Sequence, residues 1–83
     1  MRSEAEIEAA ESELESRVWH ERHHVLKESG STSDEADAAA EAVRRELGDD
    51  KVGPYSDFEW GYLNGHLSAI RWVLGWDWDK LDT

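Results

Sequence analysis

Apolar residues in the first part of the chain recur at helical spacing, which predicts a long first helix. It is expected over about residues 3–28, because Ser3 and Glu6 form an S-x-x-E capping box and Gly30 is a stop signal. Its narrow, nearly heptad-like apolar stripe consists of Ile7, Ala10, Leu14, Val18 and Val25. A helix of about 40 Å with so thin a stripe needs a partner helix.

A second, Ala-rich helix is predicted over about residues 33–47. Thr32 and Glu35 fit another capping box, and Gly48 marks the end. The apolar face is made of Ala36, Ala39, Ala40, Val43 and Leu47. The next residues are expected to form a loop, because Gly53-Pro54 breaks regular structure.

The third helix, predicted over about residues 56–74, has the clearest start. Ser56 and Glu59 form a capping box, and Tyr55 can pack on Trp60 as a hydrophobic staple. The helix carries two apolar stripes, one of Trp60, Leu63, Leu67, Ile70 and Leu74, the other of Phe58, Tyr62, Ala69, Trp72 and Trp76. Together they cover more than half of the circumference, which favours a central helix packed on two sides.

Small residues recur every four positions in this third helix, at Gly61, Gly65 and Ala69. Each Gly costs roughly 1 kcal/mol relative to Ala inside a helix. That loss is reasonable where another backbone comes close, as in close-packed helix crossings. The alternative, which the sequence leaves open, is that a bulky Trp of the same domain covers each gap.

Gly75 should end the third helix, and alternating Trp and Asp residues follow it. This alternation predicts an extended tail that lays Trp76 and Trp78 on an apolar surface. The chain is therefore expected to be a small all-α protein, with three helices and a Trp-rich tail in a single domain over residues 1–83. Because so short a chain has marginal stability, we expect a homo-oligomer.

Charge narrows the possible partners. The net charge of −11 disfavours direct binding to nucleic acid, because phosphates repel it. Three interpretations of the acidity stay open: a solvated helix surface, salt adaptation of the source, and mimicry of nucleic acid. In the mimicry hypothesis the carboxylates would lie along the first helix, at Glu4, Glu8, Glu11 and Glu15.

Residue usage also bears on the compartment. The chain has no Cys, which excludes disulfides and Cys-based zinc sites. Asn64, His66 and Arg71 interrupt the only candidate membrane span, and the acidic residues 1–15 are unlike a signal peptide. We expect a cytoplasmic protein with no membrane partner.

One catalytic motif is present. The segment from His20 to His24 reads H-E-x-x-H, and on a helix His20 and His24 could reach one zinc ion, with Glu21 polarising a bound water. A third ligand is required, and the candidates are Glu28, His66 or a carboxylate of the second helix. Arg22 inside the motif, the missing G-x-x-H extension and the short chain argue against a zinc hydrolase. We therefore expect no metal, no cofactor and no enzymatic activity.

The C-terminal third resembles a signature of small acidic proteins of phages, prophages and archaeal or actinobacterial genomes. The shared residues are Trp60-Gly61, Leu63-Asn64-Gly65, Leu67-Ser68-Ala69, Arg71-Trp72-Val73-Leu74-Gly75, Trp78-Asp79 and Leu81-Asp82-Thr83. The resemblance implies a viral or mobile-element protein and brings no known activity with it. His66 and Trp76 depart from the pattern, which has more polar residues there.

These patterns favour a non-enzymatic protein-interaction or oligomerisation module. Its partner would be a second copy of the chain, or a host or viral protein. The contact residues would be Trp60, Gly61, Gly65, Ala69, Trp72, Trp76 and Trp78. The alternative is an acidic inhibitor that mimics nucleic acid and blocks a host defence or DNA-processing protein. The third hypothesis is the zinc hydrolase.

Overall fold

Three α-helices carry most of residues 1–78, which are the residues that this computed structural model describes. The helices are α1 (Glu4–Glu28), α2 (Asp34–Leu47) and α3 (Asp57–Val73), and residues 1–78 contain no strand. The predicted all-α class is confirmed, and each helix bound lies within one residue of the prediction. The part of the predicted tail and signature beyond Trp78 lies outside the described residues.

Side-chain caps fix where the helices begin. In α1 the Glu6 N–H donates to Ser3 Oγ, and the Ser3 N–H donates to Glu6 Oε1. The same reciprocal box joins Ser56 and Glu59 at the start of α3. Hydrogen bonds from the backbone N–H groups of Ser3 and Ser56 lower the pKa values of Glu6 and Glu59 respectively, because they stabilise the ionised carboxylates.

The predicted capping box of α2 is wrong. Ser33, not Thr32, is the N-cap, and its Oγ accepts a hydrogen bond of 3.1 Å from the Ala36 N–H. Thr32 instead hydrogen-bonds the Asp37 side chain, which is the main reason that the pKa of Asp37 is lowered. Thr32 and Ser33 both precede the acidic first turn of α2, so the sequence alone does not show which of them is the N-cap.

A glycine in the left-handed region ends α3. Gly75 has φ of 100°, its N–H donates to Trp72 O, and the Trp76 N–H donates to Arg71 O. This pair of bonds is a Schellman motif, which satisfies carbonyls that the helix leaves open. The prediction that Gly75 ends the third helix is confirmed, and the Trp76 N–H is bonded to the last turn.

The chain divides into two compact units. The first contains residues Met1–Glu15 and the described residues from Ser56 onward, so the first half of α1 and all of α3 belong to it. Its buried apolar residues are Leu14, Leu63 and Leu67. Leu67 is completely buried, which places the centre of the packed side of α3 at this position.

The second unit is Ser16–Tyr55, with the rest of α1, all of α2 and the loop that follows. Val18, Ala40 and Val52 are its buried apolar residues. The predicted stripe of α1 fails here: Val25 is 59% exposed, whereas Glu21 and His23 are buried. On α2, Ala39 is exposed rather than part of the packed face.

No helix within residues 1–78 combines the length and the apolar character that crossing a membrane requires.

Candidate functional site

Helix α3 has one packed side and one exposed side. Leu63 and Leu67 are buried, and the flanking positions of the same stripe, Trp60, Ile70 and Leu74, are half-buried. The expectation that α3 packs on two sides is wrong for the single chain, because its second stripe is exposed. We call this exposed surface the aromatic face; it consists of Phe58, Gly61, Tyr62, Gly65, Ala69 and Trp72, followed by Trp76 and Trp78.

Large aromatic rings dominate the aromatic face. Phe58 is 80% exposed, Tyr62 60%, and the indoles of Trp72, Trp76 and Trp78 between 50% and 56%. Val73, beside them, is 55% exposed. Contiguous apolar surface on this scale is uncommon on a monomeric protein and marks interaction sites.

The two glycines of the aromatic face are uncovered. A Cβ added at Gly61 or Gly65 would meet nothing within 4 Å, apart from its own helix backbone and chain neighbours. The hypothesis that a Trp of the same domain covers each gap is therefore wrong for the described residues. The glycines form a shallow strip between aromatic side chains, and nothing in the described chain requires their small size.

The rings of the aromatic face are ordered in two groups by contacts with each other. On one side, Tyr62 stacks on Phe58 with centroids 6.1 Å apart and meets the edge of His66 at 4.2 Å. On the other, Trp78 meets Trp72 edge to face at 5.4 Å. Exposed rings held in this way lose little further side-chain entropy when a partner covers them.

Arg71 connects the end of α3 to α1. Its Nε lies 3.1 Å from Glu11 Oε2, and its Nη2 lies 3.1 Å from Glu15 Oε2. The guanidinium also lies 4.5 Å from the centroid of the Trp76 ring, a cation–π contact. The Arg71 side chain is only 12% exposed, and its single positive charge is shared between two carboxylates of α1, so the three groups together keep one negative charge.

Comparison with protein-family models, with curated proteins and with solved structures finds no match to this chain.

The predicted contact residues divide between the two sides of α3. Gly61, Gly65, Ala69, Trp72, Trp76 and Trp78 are exposed, whereas Trp60 lies half-buried in the packed stripe with Leu63. Phe58 and Tyr62 were not among the predicted contacts although they share the exposed side. Their spacing could have shown this, since Phe58 and Tyr62 precede Gly61 and Gly65 by three residues each and so share a helix face with them.

The H-E-x-x-H segment has structural contacts in the second unit. Glu21 is 9% exposed, and its Oε2 accepts a hydrogen bond of 2.9 Å from the Tyr55 N–H. Its Oε1 is buried and has no partner among the described residues; a Cβ added at Gly53 would lie 2.5 Å from it. The glutamate that a zinc hydrolase would use as a base thus acts as an acceptor for the loop.

Two histidines of the segment pair with different carboxylates. His24 Nε2 pairs with Glu28 at 3.0 Å, and the buried His23 pairs with Asp37 at 2.8 Å while stacking on Trp19. Burial lowers the pKa of His20, and the charges of His23 and His24 lower it further. Within residues 1–78 no three His, Cys, Asp or Glu side chains are grouped to hold a metal ion.

Proposed function

We propose that this chain is a non-enzymatic protein-interaction module whose contact surface is the aromatic face. The observation that supports this proposal is the exposure of five aromatic side chains around two glycines that nothing in the described chain covers. Exposure of such an apolar surface to water is unfavourable, so its burial by a partner stabilises the complex.

The energetics of such contacts fit this composition. Trp and Tyr side chains are enriched among the hot spots of protein interfaces, where truncation to Ala weakens binding by about 2 kcal/mol or more. Tyr62 and Trp72 flank the small residues of the aromatic face, since Tyr62 lies three residues before Gly65 and Trp72 seven residues after it. Because the contact is apolar, it should persist at about 1 M salt, where ionic contacts are screened.

Mimicry of nucleic acid is less well supported. Glu4 and Glu8 are exposed on α1, but Glu11 and Glu15, which belong to the same row, already pair with Arg71. A mimic needs regularly spaced unpaired negative charges to compete for a basic cleft. An origin in a phage or mobile element stays part of the proposal, on the resemblance of the C-terminal signature alone.

Photo-cross-linking in cells tests the proposal. A benzophenone amino acid replaces Tyr62 on the aromatic face, and a matched variant carries it in place of Val25, which is equally exposed but lies outside the aromatic face. Irradiation should give discrete adducts of higher mass from position 62 and none from position 25. Adding Trp72→Glu to the first variant should abolish its adducts.

The pattern of adducts decides the outcome. Adducts that survive Trp72→Glu, or equal adducts from both positions, would contradict a specific contact surface. Absence of adducts from position 62, in the presence of the folded helical protein, would also overturn the proposal. A far-UV circular dichroism spectrum like that of the parent chain shows that each variant is folded.

A further inference from the structure

We infer that the partner of the aromatic face is a second copy of this chain, bound antiparallel across a two-fold axis that passes beside Gly65. The inference rests on the proposed function, because it names the partner of the same surface. In a two-fold dimer both copies present the same patch, so the patch must be complementary to itself.

The aromatic face has this self-complementarity. Phe58 and Trp72 lie seven residues to either side of Gly65, and Gly61 and Ala69 lie four residues to either side. In an antiparallel pair Phe58 of one copy is level with Trp72 of the other, and Gly61 is level with Ala69. Small residues at the centre let the two backbones approach, and aromatic rings close the contact at both ends.

The available area approaches what a stable dimer needs. Five aromatic rings of roughly 150–250 Å² each, exposed by half or more, give roughly 600 Å² of ring surface per copy. Val73 and the backbone beside Gly61 and Gly65 add to it. Interfaces of standard size bury about 800 Å² per partner, so the aromatic face alone supplies most of an ordinary interface.

The distribution of charge permits contact between two copies of the chain at this face and favours the antiparallel direction. The chain has a net charge of −11, yet none of the residues that form the aromatic face is Asp, Glu, Lys or Arg. Two copies can therefore meet here without opposing carboxylates. The acidic first turn of α3 holds Asp57 and Glu59. A parallel pair would bring these turns together, whereas an antiparallel pair separates them by roughly 20 Å along the helix axis.

Light scattering after size exclusion tests the partner. The full chain at about 100 µM should elute with twice the 9.5 kDa mass of one chain, at low salt and at about 1 M salt. Gly65→Leu should raise the dissociation constant about tenfold or more, because the new side chain separates the backbones. Ala42→Leu, at an exposed position of α2, is the matched control and should leave the dimer intact.

The Gly65→Leu monomer is expected to fold, since nothing in the described chain lies within 4 Å of an added Cβ. Should it not fold, the cross-linking variants below test the same contact without it. A far-UV circular dichroism spectrum distinguishes the two cases.

Cross-linking tests the direction, and the chain's lack of Cys makes single-Cys variants unambiguous. Gly61→Cys mixed with Ala69→Cys should form a disulfide between the two variants. Either variant alone should not, because identical positions lie about 12 Å apart along antiparallel helices, beyond the span of a disulfide.

Three outcomes are decisive. A dimer that forms the mixed disulfide supports the inference. A dimer in which Ala69→Cys links to itself overturns the antiparallel arrangement. A chain that stays monomeric at this concentration overturns the second copy as partner; adducts from position 62 to a foreign protein would then still support the proposed function, whereas their absence would remove both.

Discussion

A buried carboxylate is the most consequential single residue of the second unit. Glu21 follows Val18 by three residues on the buried side of α1, and its carboxylate accepts a hydrogen bond from the Tyr55 N–H. Gly53 lies so close to it that a side chain there has no room. The Tyr55 N–H satisfies one of the two oxygens of this buried carboxylate, so the loop and the carboxylate depend on each other.

Gly53→Ala should therefore destabilise the protein by about 1–3 kcal/mol, since the new Cβ would lie 2.5 Å from Glu21 Oε1 and 2.9 Å from Tyr55 N. Urea unfolding in dilute solution measures the change. Gly61→Ala is the control; its added Cβ meets open space, and the helix gains up to about 1 kcal/mol. Equal stabilities of the two variants would contradict the close contact.

His20 gives a prediction about pH. Burial lowers its pKa from 6.5, so the folded state favours the neutral ring. The associated stabilisation is complete above pH 6.5 and is lost as the pH falls through the lower pKa of the folded state. His20→Gln should flatten the fall in the free energy of unfolding between about pH 7 and pH 5. Parallel curves for the two proteins would contradict this assignment.

At the scale of elements, the helices are defined by their ends more than by their apolar stripes. The boxes at Ser3 and Ser56 and the glycines at positions 30 and 75 are short-range patterns, so the sequence predicts them well. Which residues of α1 are buried depends on the rest of the fold. Val25 is exposed and His23 is buried with Asp37 as its partner, which no local pattern shows.

Ser56→Ala should destabilise the protein by about 1 kcal/mol, because the Glu59 N–H loses its acceptor and the reciprocal box is broken. Thermal unfolding followed by circular dichroism measures the loss. Ser12→Ala, at an exposed interior position of α1, is the matched control and should be neutral or slightly stabilising. A loss of the same size in both variants would show that the cap is not the cause.

The contacts of Arg71 join α3 to the first half of α1. Arg71→Gln should cost about 1–3 kcal/mol, since it leaves Glu11, only 15% exposed, without its ion pair. Arg45→Gln breaks an ion pair with Glu41 in which Arg45 is 76% exposed, and the change should be within about 0.5 kcal/mol. Chemical denaturation of both variants compares the two sites. A negligible effect at Arg71 would show that the pair is no stronger than a surface contact.

At the scale of the whole molecule, charge opposes compactness. With 20 acidic and 9 basic residues, the chain repels itself at low ionic strength. The melting temperature should therefore rise between about 10 mM and about 500 mM NaCl, as the Debye length falls several-fold. Glu4→Gln combined with Glu8→Gln, both exposed, should weaken that dependence. A melting temperature that falls with salt would contradict it.

The aromatic face could be predicted in composition but not in exposure. The sequence places Phe58, Tyr62 and Trp72 on one side of α3, but the same pattern is typical of a helix packed on both sides. Only the structure shows that the packed side is that of Leu63 and Leu67. In sequence, a helix with one exposed apolar side therefore resembles a helix that is buried on both sides.

The buried Glu21 also limits which alignments of its helix are possible. A shift of α1 by one turn, about 5.4 Å, would move the Glu21 carboxylate away from the Tyr55 N–H and break the hydrogen bond between them. Purely aliphatic stripes tolerate such slippage, because every register buries similar surface. Because the Glu21 carboxylate finds its donor in one alignment and not in the others, the alignments differ in stability. Glu21→Leu should therefore give a chain that stays helical but packs in more than one alignment.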